Sequence, residues 1–259
     1  GGDKEKGEAY IITNYHVVYD ADADVKISNK IFVYLYGQEL DKYKISATYI
    51  GGSMSYDIAV LKIQSDVYKE SNAHAATIGK SGDMTVGDSV IAIGNPNAGG
   101  IAVTQGILSM EGEYITLAAA DNVSPVLIRV MRVDAAINGG NSGGGLFNDS
   151  GELIGIVNAK VVSEKIEGMA YAIPVDFAYP AAQNILKNCD GNTNTQILRS
   201  FMGISVQVTD SATEIADDGT VRIVNTVSVA SVEANSPAAK AGVQKGDVIK
   251  SFRFASKLY

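Results

Sequence analysis

The amino-acid sequence predicts an all-β sandwich or barrel, and three observations lead to this fold class. Short segments rich in β-branched or aromatic residues recur along the chain, turn residues separate many of them, and they do not alternate regularly with helices. Glycine accounts for 27 of 259 residues, and much of it lies beside these segments. The segments predicted as strands before residue 174 are Tyr10–Thr13, Ile31–Tyr36, Ile58–Ile63, Ser89–Ile93, Leu127–Val133, Leu153–Val157 and Ala170–Ile173.

The pattern changes after Ile173, where a helix is predicted. Within Pro174–Leu186 the apolar residues recur at helical spacing, and a proline suits the first turn of a helix. Pro180 lies inside this segment and is expected to kink or split the helix, because proline cannot donate the backbone hydrogen bond. The polar residues of Lys187–Gln196 then predict a linker.

A second, smaller domain is predicted beyond the linker. Met202–Val208, Val221–Val229 and Val248–Phe252 are strand-like, and Ser236–Ala241 predicts a short helix because a serine N-cap precedes a proline. Gly242 is expected to end that helix. A domain of about 60 residues buries little apolar surface, so we expect it to be incomplete.

Composition and charge exclude several classes of function. The formal net charge is -8 and lysine and arginine do not cluster, so nucleic-acid binding is not expected. No apolar run approaches the roughly 20 residues that span a bilayer. One cysteine, Cys189, cannot form an intrachain disulfide, and with two histidines it provides too few ligands for a structural zinc site. We therefore expect no metal or cofactor.

The most informative motif is Gly139–Gly145, in which glycines surround Asn141 and Ser142. A nucleophilic serine needs an exposed hydroxyl and nearby backbone N–H groups to bind an oxyanion. A glycine-rich turn supplies both, because glycine permits unusual backbone angles and close approach. The N–H groups of Gly140 and Ser142 are the candidate donors.

Chain order separates two interpretations of this motif. Gly140–Gly144 also fits the G-x-S-x-G elbow of α/β-hydrolases, in which the acid and the histidine follow the serine. Here both His16 and His74 precede Ser142, so no histidine base lies downstream. The order histidine, aspartate, serine is instead that of the chymotrypsin arrangement.

His16 is the candidate base. Histidine titrates near neutral pH and suits the group that takes the proton from a serine. His16 follows a strand-like run and is flanked by apolar residues, which predicts a fixed position at the end of a strand. His74 lies in a polar segment of small residues and is predicted to be a surface residue.

Asp57 is the candidate acid that orients the base. It comes directly before the apolar strand Ile58–Ile63, and a carboxylate there is costly to bury without a partner. Asp134 is a rival that also satisfies the chain order, but it lies close to Ser142 in the sequence. We expect Asp134 to hold the loop before the nucleophile.

Seven segments of the chain resemble, in order, those of the HtrA/DegP-like family of trypsin-fold serine proteases. They cover roughly residues 10–186 and are Thr13–Val18, Asp57–Lys62, Ala92–Pro96, Val103–Ile107, Asp134–Asn138, Gly140–Gly144 and Ala170–Pro174. The resemblance implies two six-stranded chymotrypsin-like barrels and a bacterial serine endopeptidase with the triad His16, Asp57 and Ser142. It also implies that unfolded or misfolded proteins are the substrates.

The resemblance also bears on substrate preference. Trypsin-like pockets carry an aspartate six residues before the nucleophile, where this chain has Ala136, so cleavage after lysine or arginine is not expected. The resemblance implies Ile137 and Met169 as apolar walls of the pocket. Lys160 stands where relatives often have an apolar residue and is expected to narrow or polarise it. We predict cleavage after small or medium aliphatic residues.

The C-terminal part resembles a PDZ domain that ends before its final strand and helix. Three segments carry the resemblance, and they are the loop Phe201, Met202, Gly203 and Ile204, then Ser236–Gly242, then Lys245–Ile249. The loop resembles the one whose backbone N–H groups bind the carboxylate at a peptide C-terminus, and such domains bind the peptide as an added strand. The implied organisation is a protease domain over 1–187, a linker over 188–198 and an incomplete PDZ domain over 199–259.

The start of the sequence departs from the family, which usually has a further strand before the histidine segment. We expect a homotrimer if that segment is present, and an extracytoplasmic location, with a membrane anchor in the full-length protein. Two other functions stay open at this point. One is a catalytically silent sensor that binds peptides through the PDZ domain, and the other is a serine esterase.

Overall fold

The computed structural model divides the chain into two compact units, Gly1–Leu198 and Arg199–Tyr259. The structure describes the backbone of residues 2–38, 40–96, 100–159, 169–189, 191, 194–198, 201–215, 221–251, 253–254 and 257–258. Within these ranges it describes all side chains except those of residues 41, 222, 253–254 and 257–258.

Eleven strands and three α-helices form the first unit as described. The strands are β1 (Glu8–Thr13), β2 (Phe32–Val33), β3 (Ile45–Ser53), β4 (Ile58–Gln64), β5 (Ser89–Gly94), β6 (Ala102–Ala118), β7 (Pro125–Val133), β8 (Gly145–Phe147), β9 (Leu153–Val157), β10 (Ala170–Pro174) and β11 (Thr195–Gln196). The helices are α1 (Tyr15–Val18), α2 (Asp66–Glu70) and α3 (Val175–Lys187), and short 3-10 turns lie at Asp41–Tyr43 and Ser81–Asp83.

The N-terminal half of this unit is a five-stranded sheet in the order β1-β4-β3-β11, with β2 added to β3. The pairs are antiparallel except for β11, which runs parallel to β3. Residues 58–60 at the start of β4 are fully buried because both faces of that strand are covered. The long polar connection from α1 to β3 contributes only the two-residue strand β2, so the described residues form an open five-stranded sheet where six strands were expected.

The C-terminal half is a closed antiparallel barrel of six strands, in the order β10-β7-β6-β5-β8-β9. Its interior is filled by alternate residues of these strands, including Val90, Leu108, Met131, Leu146 and Ile154, all fully buried. This half confirms the six-stranded barrel that the sequence predicts. It also contains β6 and β8, which the sequence analysis did not identify.

Helix α3 packs against both halves and continues through Pro180 without interruption. Val175 and Ala178 lie in one apolar cluster with residues of β4 and β9, and Ala182 and Ile185 lie in another with residues of β3 and β4. Burial on both sides of Pro180 therefore keeps the helix continuous, although proline was expected to kink or split it.

The predicted linker, 188–198, belongs to the first unit where it is described. Thr195 and Gln196 pair in parallel with Gly51 and Gly52. The side chain of Asn184 also holds Leu198 at both its N–H and its C=O, at 2.9 Å each. This segment consequently extends the N-terminal sheet over the residues that the structure describes.

The second unit contains a long antiparallel hairpin of β12 (Ile204–Ile215) and β13 (Val221–Val232). A short helix, α4 (Pro237–Lys240), follows, and the Ser236 hydroxyl caps it by accepting from Ala239 N–H at 3.1 Å. The short strands β14 (Arg253–Phe254) and β15 (Lys257–Leu258) pair with each other. Val248 makes a single bridge to Ser228 in place of the strand predicted there.

None of the helices in the described part of the chain combines the length and the apolar character needed to cross a bilayer.

Replacing Pro180 with alanine is expected to stabilise the first unit by roughly 1–2 kcal/mol, because it restores an N–H donor for the Asp176 carbonyl inside a continuous helix. Thermal unfolding followed by circular dichroism measures the change. Ala181→Pro is the matched control and should lower the melting temperature. A P180A variant that melts at or below the parent temperature would contradict this account of α3.

Candidate active site

The most strongly held contact in the candidate site joins His16 to Asp57. The single-turn helix α1 follows β1 directly and presents His16, while Asp57 ends the turn between β3 and β4. His16 Nδ1 lies 2.7 Å from Asp57 Oδ2, and the His16 backbone N–H donates to Oδ1 at 2.9 Å. An ionised carboxylate only accepts hydrogen bonds, so this contact calls for a proton on Nδ1, and in the neutral form of such a ring the lone pair is on Nε2.

Asp57 is only 4% exposed and is held by side chains from both halves of the first unit. Asn158, fully buried just after β9, donates to Asp57 Oδ2 at 2.8 Å, and Asn14 donates to the Asp57 carbonyl at 3.0 Å. The backbone of Asp57 has φ of 51°, a left-handed conformation that is uncommon outside glycine. The carboxylate is therefore fixed by hydrogen bonds and by its own turn.

Sequence reasoning missed Asn158. The signal for it was an amide residue directly after Leu153–Val157, a strand that is buried throughout. A polar side chain that continues such a strand has to find a buried partner. Here that partner is the carboxylate of Asp57.

Ser142 lies in a turn that glycines shape on both sides. Asn141 N–H donates to the Asn138 carbonyl at 3.1 Å, and Gly140 has φ of 94°, which is the pattern of a type II turn. The Ser142 hydroxyl accepts from Ala159 N–H at 3.1 Å. Ala159 follows Asn158, so neighbouring residues contact the serine and the aspartate.

Gly143 joins the serine loop to the segment that carries His16. Its φ is 82°, and a Cβ at this position would collide with the Thr13 hydroxyl and approach the Asn14 backbone. Its N–H donates to the Val157 carbonyl at 3.0 Å. Only glycine permits this close packing, which brings the serine loop against the strand end before His16.

The backbone N–H groups of the serine loop differ in whether they donate to an acceptor within the protein. The N–H groups of Asn141, Gly143 and Gly144 donate to backbone carbonyls. Over the described residues, no acceptor in the protein lies against the N–H of Gly140 or of Ser142.

Asp134 makes the loop-holding contacts that the sequence analysis expects of it. Its Oδ1 accepts from Ile107 N–H at 2.6 Å, and Gly106 lies close against the same carboxylate. Two residues on, the Ala136 carbonyl accepts from the Thr104 hydroxyl at 3.0 Å. These bonds fasten the start of the serine loop to β6.

The expected pocket residues lie in different surroundings. Ile137 is buried in the core of the six-stranded barrel, and Ala136 is exposed. Met169 is partly buried and lies at the start of β10, where its sulfur contacts Arg132 Nη1 at 3.3 Å. Lys160 lies outside the described residues.

Two tyrosines support the turn that carries His16. The rings of Tyr15 and Tyr49 pack edge to face, with centroids 6.5 Å apart. Burial raises the pKa of Tyr49 and also that of Tyr15, so both hydroxyls stay neutral at physiological pH. The support beneath α1 is therefore uncharged.

The remaining predicted residues lie elsewhere. His74 is exposed, and its Nδ1 lies 3.1 Å from the Asn72 carbonyl. In the second unit the Phe201 and Met202 side chains are exposed, Gly203 packs on Ser236, and Ile204 starts β12. A search of the described residues finds no group of His, Cys, Asp and Glu side chains arranged to hold a metal ion.

Comparison with known proteins shows what the chain is similar to. The family profile of the trypsin-like peptidase domain matches residues 3–156. The chain is 34% identical over 253 residues to the Serine protease Do-like HtrA of Bacillus subtilis (strain 168), covering 95% of this chain and 51% of the relative. It is 36% identical over 258 residues to the protein of the same name from Lactococcus lactis subsp. cremoris (strain MG1363), covering 95% and 58%.

A solved structure described as "HtrA-type protease AlgW with decapeptide" superposes with a TM-score of 0.64 at 32% identity. The match covers 93% of this chain and 65% of that one. The chain thus spans about half the length of the curated relatives it matches.

Gly143→Ala is expected to lower the free energy of unfolding by about 2–3 kcal/mol, because it strains a left-handed residue and collides with Thr13. Gly139→Ala is the control from the same loop, since a Cβ there meets nothing within 4 Å. Urea unfolding of the two variants compares them. Equal losses in both would contradict the close packing described here.

Asn158→Leu is expected to cost about 1–3 kcal/mol of stability, because it removes a donor from a buried carboxylate. The same change in an Asp57→Asn background should cost less, since no buried charge remains to be satisfied. A double-mutant cycle by chemical denaturation measures the coupling, which we expect to be about 1 kcal/mol or more. Additive effects would show that the Asn158 amide does not stabilise the Asp57 charge.

Proposed function

Since the chain belongs to the trypsin-like peptidase family, we propose that it is a serine endopeptidase of the HtrA type. The observation that carries the proposal is the pair of hydrogen bonds by which Asp57 orients His16. Over the described residues the Ser142 hydroxyl bonds to Ala159 N–H and not to His16 Nε2, so the approach of Ser142 to His16 belongs to the proposal. The relatives named as HtrA serine proteases support the same conclusion. The curated relatives are about twice as long as this chain, so the proposal concerns the chemistry of the part they share.

Each residue of the proposed triad has one role. The Ser142 hydroxyl attacks the carbonyl carbon of the scissile peptide bond, and His16 Nε2 takes the hydroxyl proton. His16 then gives that proton to the departing amine, and water repeats the sequence in reverse to release the acyl group. Asp57 keeps the imidazole oriented and stabilises its protonated form. The two hydrogen bonds between Asp57 and His16 support this assignment.

The oxyanion that forms during the attack would be bound by the N–H groups of Gly140 and Ser142. Such donors contribute about 3–4 kcal/mol each in comparable sites, because they are fixed before the charge develops. The turn at Gly140 and the lack of a protein acceptor for either donor over the described residues support this role. No metal or nucleotide is required for the reaction.

For substrate preference, we propose cleavage after small or medium aliphatic residues. Ala136 offers no carboxylate to a basic side chain, and Ile137 and Met169 are apolar. The buried position of Ile137 fits a wall that packing holds in place. Lys160 remains a candidate for narrowing or polarising the same pocket.

The proposed substrates are unfolded proteins, which present extended segments to such a cleft. Related solved structures contain a decapeptide or a tripeptide. We propose that the second unit is a PDZ domain that binds peptide C-termini at Phe201–Ile204. Its long hairpin β12–β13 and the packing of Gly203 on Ser236 support this assignment. Assembly as a homotrimer is part of the same proposal.

We also propose that the protein acts outside the cytoplasm. A relative from Hahella chejuensis (strain KCTC 2396) is named a probable periplasmic serine endoprotease, at 35% identity over 247 residues.

Labelling with a fluorophosphonate, followed by mapping of the modified residue, tests the proposal directly. We expect modification at Ser142 and degradation of unfolded casein, with both lost in Ser142→Ala and casein turnover reduced at least about 10³-fold. Ser150→Ala, at an exposed turn near the same loop, is the matched control and should behave like the parent. Labelling at another residue, or casein turnover that survives S142A, would refute it. Peptide binding without either reaction would instead indicate a silent sensor.

A further inference from the structure

Arg132 occupies an unusual place on the outside of the six-stranded barrel. Its neighbours on β7, Met131 and Val133, point into the core and are fully buried. Arg132 points the other way, between Met110 of β6 and Tyr171 of β10, which pair with it across the sheet. Its side chain is nevertheless only 25% exposed, so a charge lies largely covered by the strands around it.

Few groups make strong contacts with the Arg132 guanidinium. Arg132 Nη1 lies 3.3 Å from the Met169 sulfur, and Nη2 lies 3.4 Å from the Met110 sulfur. Thioether sulfur is a weak acceptor, whereas guanidinium carries five strong donors. Glu113 Oε1 lies 3.3 Å from Arg132 Nε and supplies the opposite charge. Both atoms are buried, and among the described residues neither has a partner with hydrogen-bond geometry, so their contact is an ion pair alone.

Arg132 is close in the sequence to a residue that holds the serine loop. It lies two residues before Asp134, which fastens the serine loop to β6. Met169, which its guanidinium contacts, is a proposed wall of the substrate pocket and directly precedes β10. One side chain thus links β7, the strand that leads to the serine loop, to the proposed pocket residue Met169.

A methionine side chain alone defines the wall of a pocket poorly, because its three rotatable bonds allow many conformations. A charged group held at 3.3 Å from the sulfur restricts those shapes. Glu113 in turn restricts the guanidinium, since it holds the Nε end while the two sulfurs hold the other. The partial burial of this ion pair costs free energy that an apolar pair at the same place would not cost.

We propose that Arg132 is a specificity-determining positioning residue. It fixes the side chain of Met169 and thereby sets how well the pocket fits an aliphatic residue on the acyl side of the cleaved bond. It acts through Met169 and does not touch the reacting atoms. This inference rests on the proposed endopeptidase function, and it adds a second layer of residues that the sequence motifs do not contain.

The test compares Arg132→Gln with the parent chain on peptides that differ only at the acyl-side residue, alanine against valine. For valine we expect KM to rise about 5- to 10-fold with kcat within about 2-fold, because ground-state and transition-state binding to the pocket weaken together. For the alanine peptide, whose side chain extends less far towards Met169, both KM and kcat should stay near the parent values. Arg132→Lys keeps the charge but reaches only one sulfur, so it should fall between the two.

Two controls separate the outcomes. Arg129→Gln removes a positive charge from the same strand, where that arginine stacks over Phe177, and it should leave both peptides unaffected. Fluorophosphonate labelling at Ser142 should proceed at the parent rate in every variant. If the parent labels and cleaves but R132Q shows the same KM ratio between valine and alanine, this inference alone is wrong. If the parent neither labels nor cleaves, the proposed function falls and this inference falls with it.

Discussion

The burial of one carboxylate governs the arrangement of the first unit around its candidate site. An ionised group removed from water needs several donors, and a single missing one is costly. Asp57 receives them from the His16 backbone, the His16 ring and the Asn158 amide. Because these donors come from α1 and from the end of β9, the carboxylate draws the five-stranded sheet and the six-stranded barrel to a common point.

The serine loop is positioned in a different way. Close backbone packing places it, with Gly143 against Thr13 and the loop N–H groups divided between bonded and unoccupied ones. Hydrogen bonds fix His16 and steric contact fixes the loop that carries Ser142, so the two parts of the candidate site respond differently to substitution. The packing at Gly143 tolerates no added atom, whereas the contacts around Asp57 tolerate changes of shape that preserve their donors and acceptors.

The sequence predicts these parts unequally, and the reasons are physical. The strands β4, β7, β9 and β10 were recognised because their apolar runs are dense and bounded by turn residues. Strand β6 was missed because most of its 17 residues are exposed or half-buried and only Leu108 is fully buried, so it lacks a dense apolar run. Strand β8 was missed because it is only three residues long and follows a glycine-rich loop. The structure brings His16 and Asp57 into contact, while their catalytic roles stay predictions. Asn158 and Arg132 carry no motif, since only the tertiary fold reveals which group each of them faces.

The left-handed backbone at Asp57 has an evolutionary consequence. Glycine or asparagine would relax that conformation, and either would also remove the buried charge that the surrounding donors must satisfy. Asparagine keeps a side-chain acceptor for the donors around position 57, whereas glycine leaves the buried Asn158 amide and the His16 N–H without theirs, so only asparagine is expected to preserve the scaffold. Under the proposed function, a variant with asparagine at position 57 would keep the fold and lose turnover, one codon away from the parent.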